Sequence, residues 1–119
     1  MITVANIRQT KSGEYIGRAM PRQRLVGSPL GNPYKLDPGD TREAIINVYA
    51  GWLAKRLQDD TPQRREIERL TDLARAGDLV LLCWCAPQSC HGDVIKAEIE
   101  RRLAVEAERR AGIHADDCL

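Results

Sequence analysis

Three of the chain's four cysteines and one of its two histidines fall in a single stretch, LLCWCAPQSCHGD, at positions 81 to 93. Thiols and an imidazole set this close can ligate a soft metal, act as nucleophile and base, or simply pack. In the metal reading, Cys83, Cys85, Cys90 and His91 are a zinc set, although C-x-C-x4-C-H is not the paired C-x-x-C knuckle of structural zinc sites. In the thiol reading, Cys90 is an activated nucleophile beside His91, with Asp93 as orienting partner. In the packing reading, Cys83 and Cys85 are small core hydrophobes, Cys90 packs at a helix entry, and His91 and Asp93 cap amides. A phosphatase-type loop is excluded: at the interval that chemistry requires, Cys83, Cys85 and Cys90 are followed by Ser89, His91 and Lys96, none of them arginine.

The elements that must position these groups follow from the pattern around them. Leu79 to Trp84 is continuously apolar, as in a central strand covered on both faces. A strand persisting through residue 85 would put Cys83 and Cys85 on one face and Trp84 on the other. After a turn through Pro87, Gly92 opens a helix whose Ile95, Ile99, Leu103 and Ala107 recur every fourth position, to an end near Ala111 closed by Gly112. The positive end of that helix would favour a thiolate at Cys90, or a bound anion on the amides of residues 91 to 93. Residues 113 to 119 read as a flexible tail behind a single domain over residues 1 to 112.

Upstream, Ile2 to Ala5 and Glu14 to Gly17 are short β-branched runs around the turn-like Lys11-Ser12-Gly13, which predicts an opening hairpin. Pro21, Pro29, Pro33 and Pro38 with Gly27, Gly31 and Gly39 make residues 20 to 39 a long constrained loop. Within it, SPLGNP fixes the backbone, and Asn32 before Pro33 is held extended. No acidic residue occurs from Gly17 through Leu36, while Arg18, Arg22 and Arg24 do, so this segment is the one local charge imbalance suited to an anion. Asp40 with Glu43 reads as a capping pair for a helix from about Thr41 to Gln58, buried along Ile45, Val48, Tyr49, Trp52, Leu53 and Leu57. Thr61 before Pro62 starts a second helix with Ile67, Leu70, Leu73 and Ala74 inward, ending at Gly77.

Strand, strand, loop, helix, helix, strand, helix is the order of a small α/β layered sheet with flanking helices. Ligands of such sheets lie beyond the carboxyl ends of the strands. With 18 basic and 17 acidic residues, a formal charge of +1 gives no overall argument for nucleic acid or an anionic surface. No apolar run approaches membrane-spanning length and the first residues lack a signal-peptide core, so a cytoplasmic protein with reduced thiols is expected. A Cys85–Cys90 disulfide is disfavoured there.

The motifs YIGR (Tyr15 to Arg18), SPLGNPY (Ser28 to Tyr34), Arg42 opening a helix, Tyr49 and CWCAPQSCHGDV (Cys83 to Val94) together resemble the DUF4326 family, small bacterial and bacteriophage proteins of unknown function. The resemblance covers roughly residues 13 to 100. It implies a site at the matching positions Arg18, Ser28, Gly31, Asn32, Arg42, Cys83, Cys85, Cys90, His91 and Asp93. The C-H ending also resembles that of the DUF488 family, where arginine follows the histidine; here Gly92 does.

The sequence thus points to a site between the residue 18 to 34 loop and the Cys83 to Asp93 turn. The expected function is binding, with turnover left open, of a small phosphorylated or nucleotide-like ligand. Arg18, Ser28, Gly31, Asn32, Arg42 and Gly92 would surround it, and Cys90, His91 and Asp93 would carry any chemistry. The alternative is a zinc-stabilised, non-catalytic interaction module for nucleic acid or a protein partner.

Overall fold

The longest uninterrupted apolar run takes the middle of the sheet. In the computed structural model, which describes residues 1–35, 37–86, 88 and 90–117, with side chains through Ala111, β3 is Leu79–Cys83. The turn read through Pro87, and Cys118 and Leu119 of the tail, lie outside the described residues. β1 (Ile2–Asn6) and β2 (Glu14–Tyr15) flank β3, both parallel to it, in the order β1-β3-β2. Register runs from Ile2 opposite Leu79 to Asn6 opposite Cys83 on one side, and pairs Glu14 with Leu81 on the other.

The expected hairpin does not form, because β1 and β2 are separated by β3. A buried central strand needs hydrogen-bond partners along both edges, and one hairpin can supply only one of them. Residues 7 to 13 instead carry the chain from one edge of β3 to the other without a helix. Gly13 makes this crossing fit: its φ is 151°, and a Cβ there would lie 2.7 Å from the Val80 carbonyl oxygen and 3.1 Å from the Leu82 side chain.

The helices are α1 (Arg42–Arg56), α2 (Pro62–Ala76) and α3 (His91–Asp117). The cap of α1 is Thr41, whose hydroxyl accepts from the Ala44 amide at 3.0 Å; Asp40 accepts from the Asp37 amide in the preceding turn instead. Thr61 caps α2 on the Arg64 amide with Pro62 in its first turn, as the sequence predicts. Helical backbone in α3 continues past Gly112 to Asp117, beyond its expected end. α3 packs on β1 and β3, α2 on β3 and α3, and α1 on α2 and α3. Leu79, Leu81 and Cys83 face the main core with Tyr49, Leu53, Ile67, Leu70, Ile95 and Ile99, while Leu82 is buried on the opposite face. Val48 and Leu73, read as inward, are among the exposed large hydrophobics; Thr71 takes an inward place in α2 and donates to the Ile67 carbonyl. Among the described residues no helix is long and apolar enough to cross a membrane.

Candidate functional site

The chain leaves the sheet at Cys83, one residue before the strand's expected end, and turns at once. Asn6, the last residue of β1, holds that turn: its Nδ2 donates to the carbonyls of Trp84 and Ala86 at 3.1 and 3.0 Å, and its Oδ1 accepts from the Arg8 amide. Cys85 therefore lies in the bend rather than on the strand, and is half-buried. Trp84 donates to the Tyr15 hydroxyl at 3.2 Å, and that hydroxyl donates to the Arg18 carbonyl at 2.7 Å. One indole thus ties the carboxyl end of β3 to the residues following β2.

Cys90 stands immediately before α3 and does the work usually given to Ser, Thr or Asp. Its Sγ accepts from the Gly92 amide at 3.3 Å, while Asp93 Oδ2 accepts from the Cys90 amide at 3.1 Å, a reciprocal cap. The Asp93 amide in turn donates to the Cys90 carbonyl. Asp93 is therefore a helix cap, and two of the amides expected to cradle an anion are already engaged within the chain. Gly92 serves packing: a Cβ there would lie 2.9 Å from Val4 Cγ1 and 3.0 Å from Ile16 Cδ1.

Opposite, Cys83 Sγ lies 3.5 Å from Cys90 Sγ and accepts from the Ala86 amide at 3.4 Å. The two buried thiols share a hydrogen bond, so the loss of one proton discourages loss of the second. The bond from Cys90, helped by the amides of Ala86 and Cys85, draws the Cys83 thiol down to about 6 against the cost of burial. Cys90 is pushed up by that same bond, by burial and by the charge on Cys83. The sequence singles out Cys90 from the helix dipole; in the folded chain it is the Cys83 thiol that is drawn down and the Cys90 thiol that is pushed up.

His91, the first residue of α3, meets the Ile16 carbonyl through Nε2 at 2.8 Å. A carbonyl only accepts, so Nε2 carries the proton and Nδ1 is left as an acceptor. Burial, with the nearby Arg18 charge adding to it, lowers the His91 pKa and keeps the ring neutral. Its edge meets the Tyr49 ring, centroids 5.2 Å apart. Among the described residues no hydrogen bond links His91 to Cys90 or Asp93, so these three side chains form no relay. Among the described residues no group of three His, Cys, Asp or Glu side chains is placed to hold a metal ion.

The facing wall is the constrained loop. Leu30 is fully buried, its carbonyl accepts from the Tyr49 hydroxyl at 2.7 Å, and its amide donates to Ser28 Oγ at 3.1 Å. A Cβ on Gly31 would lie 3.1 Å from the Gly17 carbonyl oxygen, so the loop packs backbone to backbone on the segment after β2. Asn32 Oδ1 accepts from the Tyr34 amide, and Arg18 donates to the carbonyls of Asn32 and Tyr34 at 2.6 and 2.7 Å. Ser28 and Gly31 build the loop from behind; Arg18 both staples it and faces the space in front.

That space is a cleft of about 610 Å³ at the carboxyl end of β3. It brings together Arg18, Asn32, Arg42, Cys83, Cys85, Cys90 and His91 of the expected site, and it leaves out Ser28, Gly31, Gly92 and Asp93. Lys35, Tyr15, Trp84, Ile45 and Ile46 also line it, and among the described residues no carboxylate does. Lys35 belongs to the acid-free segment and was within reach of sequence reasoning, as were the isoleucines of α1. Asn6, which holds the turn after β3, carried no spacing signal of its own, whereas Tyr49, which braces the facing wall, was on the expected buried stripe of α1 and among the motif residues. Arg22 and Arg24, from the same basic run as Arg18, are exposed and do not line the cleft.

Comparison with curated proteins and with solved structures gives no match. The motifs that build both walls of this cleft lie within residues 3–101, which match the family model described as "Domain of unknown function (DUF4326)", and the chain belongs to that family.

Proposed function

We propose that the protein binds a small phosphorylated, nucleotide-like ligand in the cleft between α1, the residue 17 to 35 segment and the end of β3. The observation that carries this reading is the charge of the lining: Arg18, Lys35 and Arg42 all line the cleft and no carboxylate is among its described lining residues, in a chain whose charges otherwise nearly balance. The anionic end of the ligand is assigned to these three cations rather than to the start of α3, whose Gly92 and Asp93 amides are engaged. A planar apolar part fits the wall of Ile45, Ile46 and Trp84. His91 Nδ1 and the Cys83 thiolate are acceptors suited to the N–H groups of a heterocycle.

A thermal-shift panel of mononucleotides, their unphosphorylated nucleosides and inorganic phosphate tests this reading. Mononucleotides should raise the midpoint more than either part alone, and raised salt should reduce the effect. Equal shifts with nucleoside and nucleotide, or no shift with any phosphorylated compound, would remove it.

A further inference from the structure

We propose that Cys83 and Cys90 are a redox-active dithiol that closes to an intramolecular disulfide, with Cys83 as the attacking sulfur and Cys85 left out. The proposal does not depend on what the cleft binds. Its basis is placement: the two Sγ atoms are 3.5 Å apart, both residues line the cleft, and each sulfur accepts an amide N–H, from Ala86 and from Gly92. Inert core cysteines need neither a sulfur neighbour nor an opening to the cleft. Cys83 is fixed on the central strand, while Cys90 ends a short connection, residues 84 to 90, before α3. Closing the gap to a bond of about 2.0 Å takes a movement of roughly 1.5 Å.

The oxidant is a small organic disulfide, RSSR. The Cys83 thiolate attacks one of its sulfurs, the S–S bond breaks, and RS⁻ leaves with the electron pair, giving a mixed disulfide on Cys83. Cys90 then attacks Cys83 Sγ, its proton goes to the second departing RS⁻, and the Cys83–Cys90 bond forms. Two protein thiols are oxidised and RSSR is reduced to RS⁻ and RSH. The negative charge at the floor of the cleft is removed at the same time.

Cys85 makes the proposal falsifiable, because it is the more exposed thiol of the three and would react first if exposure alone decided. The full chain is equilibrated with excess bis(2-hydroxyethyl) disulfide, alkylated under denaturing conditions and digested with trypsin. All three cysteines then lie in one peptide, residues 76–96, bounded by Arg75 and Lys96. The expected peptide has lost two hydrogens, with Cys85 alkylated and Cys83 and Cys90 protected, and Cys85→Ser protein oxidises equally well. Cys90→Ser should stop at the mixed disulfide on Cys83. Full alkylation of all three thiols after equilibration, or a disulfide that includes Cys85, would overturn the proposal.

Discussion

Tyr49 shows how a single hydroxyl sets the shape of the cleft. It donates from α1 to the carbonyl of Leu30, a fully buried residue of the constrained loop, while its ring braces His91. Burial, with the Cys90 charge adding to it, pushes its own ionisation up, so it stays a donor throughout the physiological range. Tyr49→Phe leaves that carbonyl buried without its donor, and urea denaturation should show a loss of ~1–3 kcal/mol. The thiols give a pH signature. Cys83 titrates at about 6 in the folded protein against an ordinary value of 9.0, so between these the unfolded chain binds more protons and stability rises with pH. That contribution is lost as pH falls through the folded value. His91, lowered mainly by burial, acts with the same sign as pH falls below its ordinary value, ~6.5. Cys90, pushed up, reverses the slope above the ordinary thiol range. Denaturation over a pH series should therefore show stability climbing across the neutral range, and Cys83→Ser should flatten most of the climb. The cysteine cluster was legible in the sequence, but which sulfur ionises was not. The answer depends on a contact between residues at the end of a strand and the start of a helix, and spacing alone does not orient two side chains toward each other.

At the scale of elements, the three helices and the central strand exist where hydrophobic period places them, with α2 and β3 closest to expectation because Thr61-Pro62 and the Leu79 to Trp84 run are strong local signals, while the cap of α1 and the end of α3 differ. The sheet order was not legible. A short turn-like segment between two β-branched runs favours a hairpin on local grounds, and the demand of a buried β3 for two partner strands overrides it. Gly13 records the outcome in its positive φ and its approach to Val80. Gly92 marks where α3 meets the sheet. Gly92→Ala drives a methyl against Val4 and Ile16, neither at the end of a long flexible side chain, and should cost ~1–3 kcal/mol in denaturation. Asn6→Ala removes two hydrogen bonds from the turn after β3, costing ~1–3 kcal/mol. Released from that turn, Cys85 should also alkylate faster in native protein than it does in the wild type. An unchanged midpoint together with unchanged labelling would show that Asn6 does not hold the turn.

For the whole molecule, near-neutral charge conceals a sorted distribution. Several arginines outside the cleft pair with carboxylates of β2, α2 and α3, among them Arg69 with Glu66 and Glu14, Arg75 with Asp72 and Glu106, and Arg101 and the half-buried Arg102 with Glu98. The acid-free segment from Gly17 to Leu36 pointed to this sorting in the sequence, and Arg18, Asn32 and Lys35 of the cleft come from it. What the sequence could not supply was the division of labour within it. Arg18 spends two donors on loop carbonyls, so Arg18→Ala should lower the midpoint of ligand-free protein as well as weaken binding. Lys35 is exposed on the lining, which makes it the cleaner probe. Calorimetric titration of a mononucleotide into wild-type and Lys35→Glu protein at low and high salt is the most direct measurement. Binding by the wild type should weaken with salt, and Lys35→Glu should lose roughly tenfold or more at low salt with the thermal midpoint of the ligand-free protein unchanged. Equal affinity in the two proteins, or no mononucleotide binding by the wild type at low salt, would contradict it.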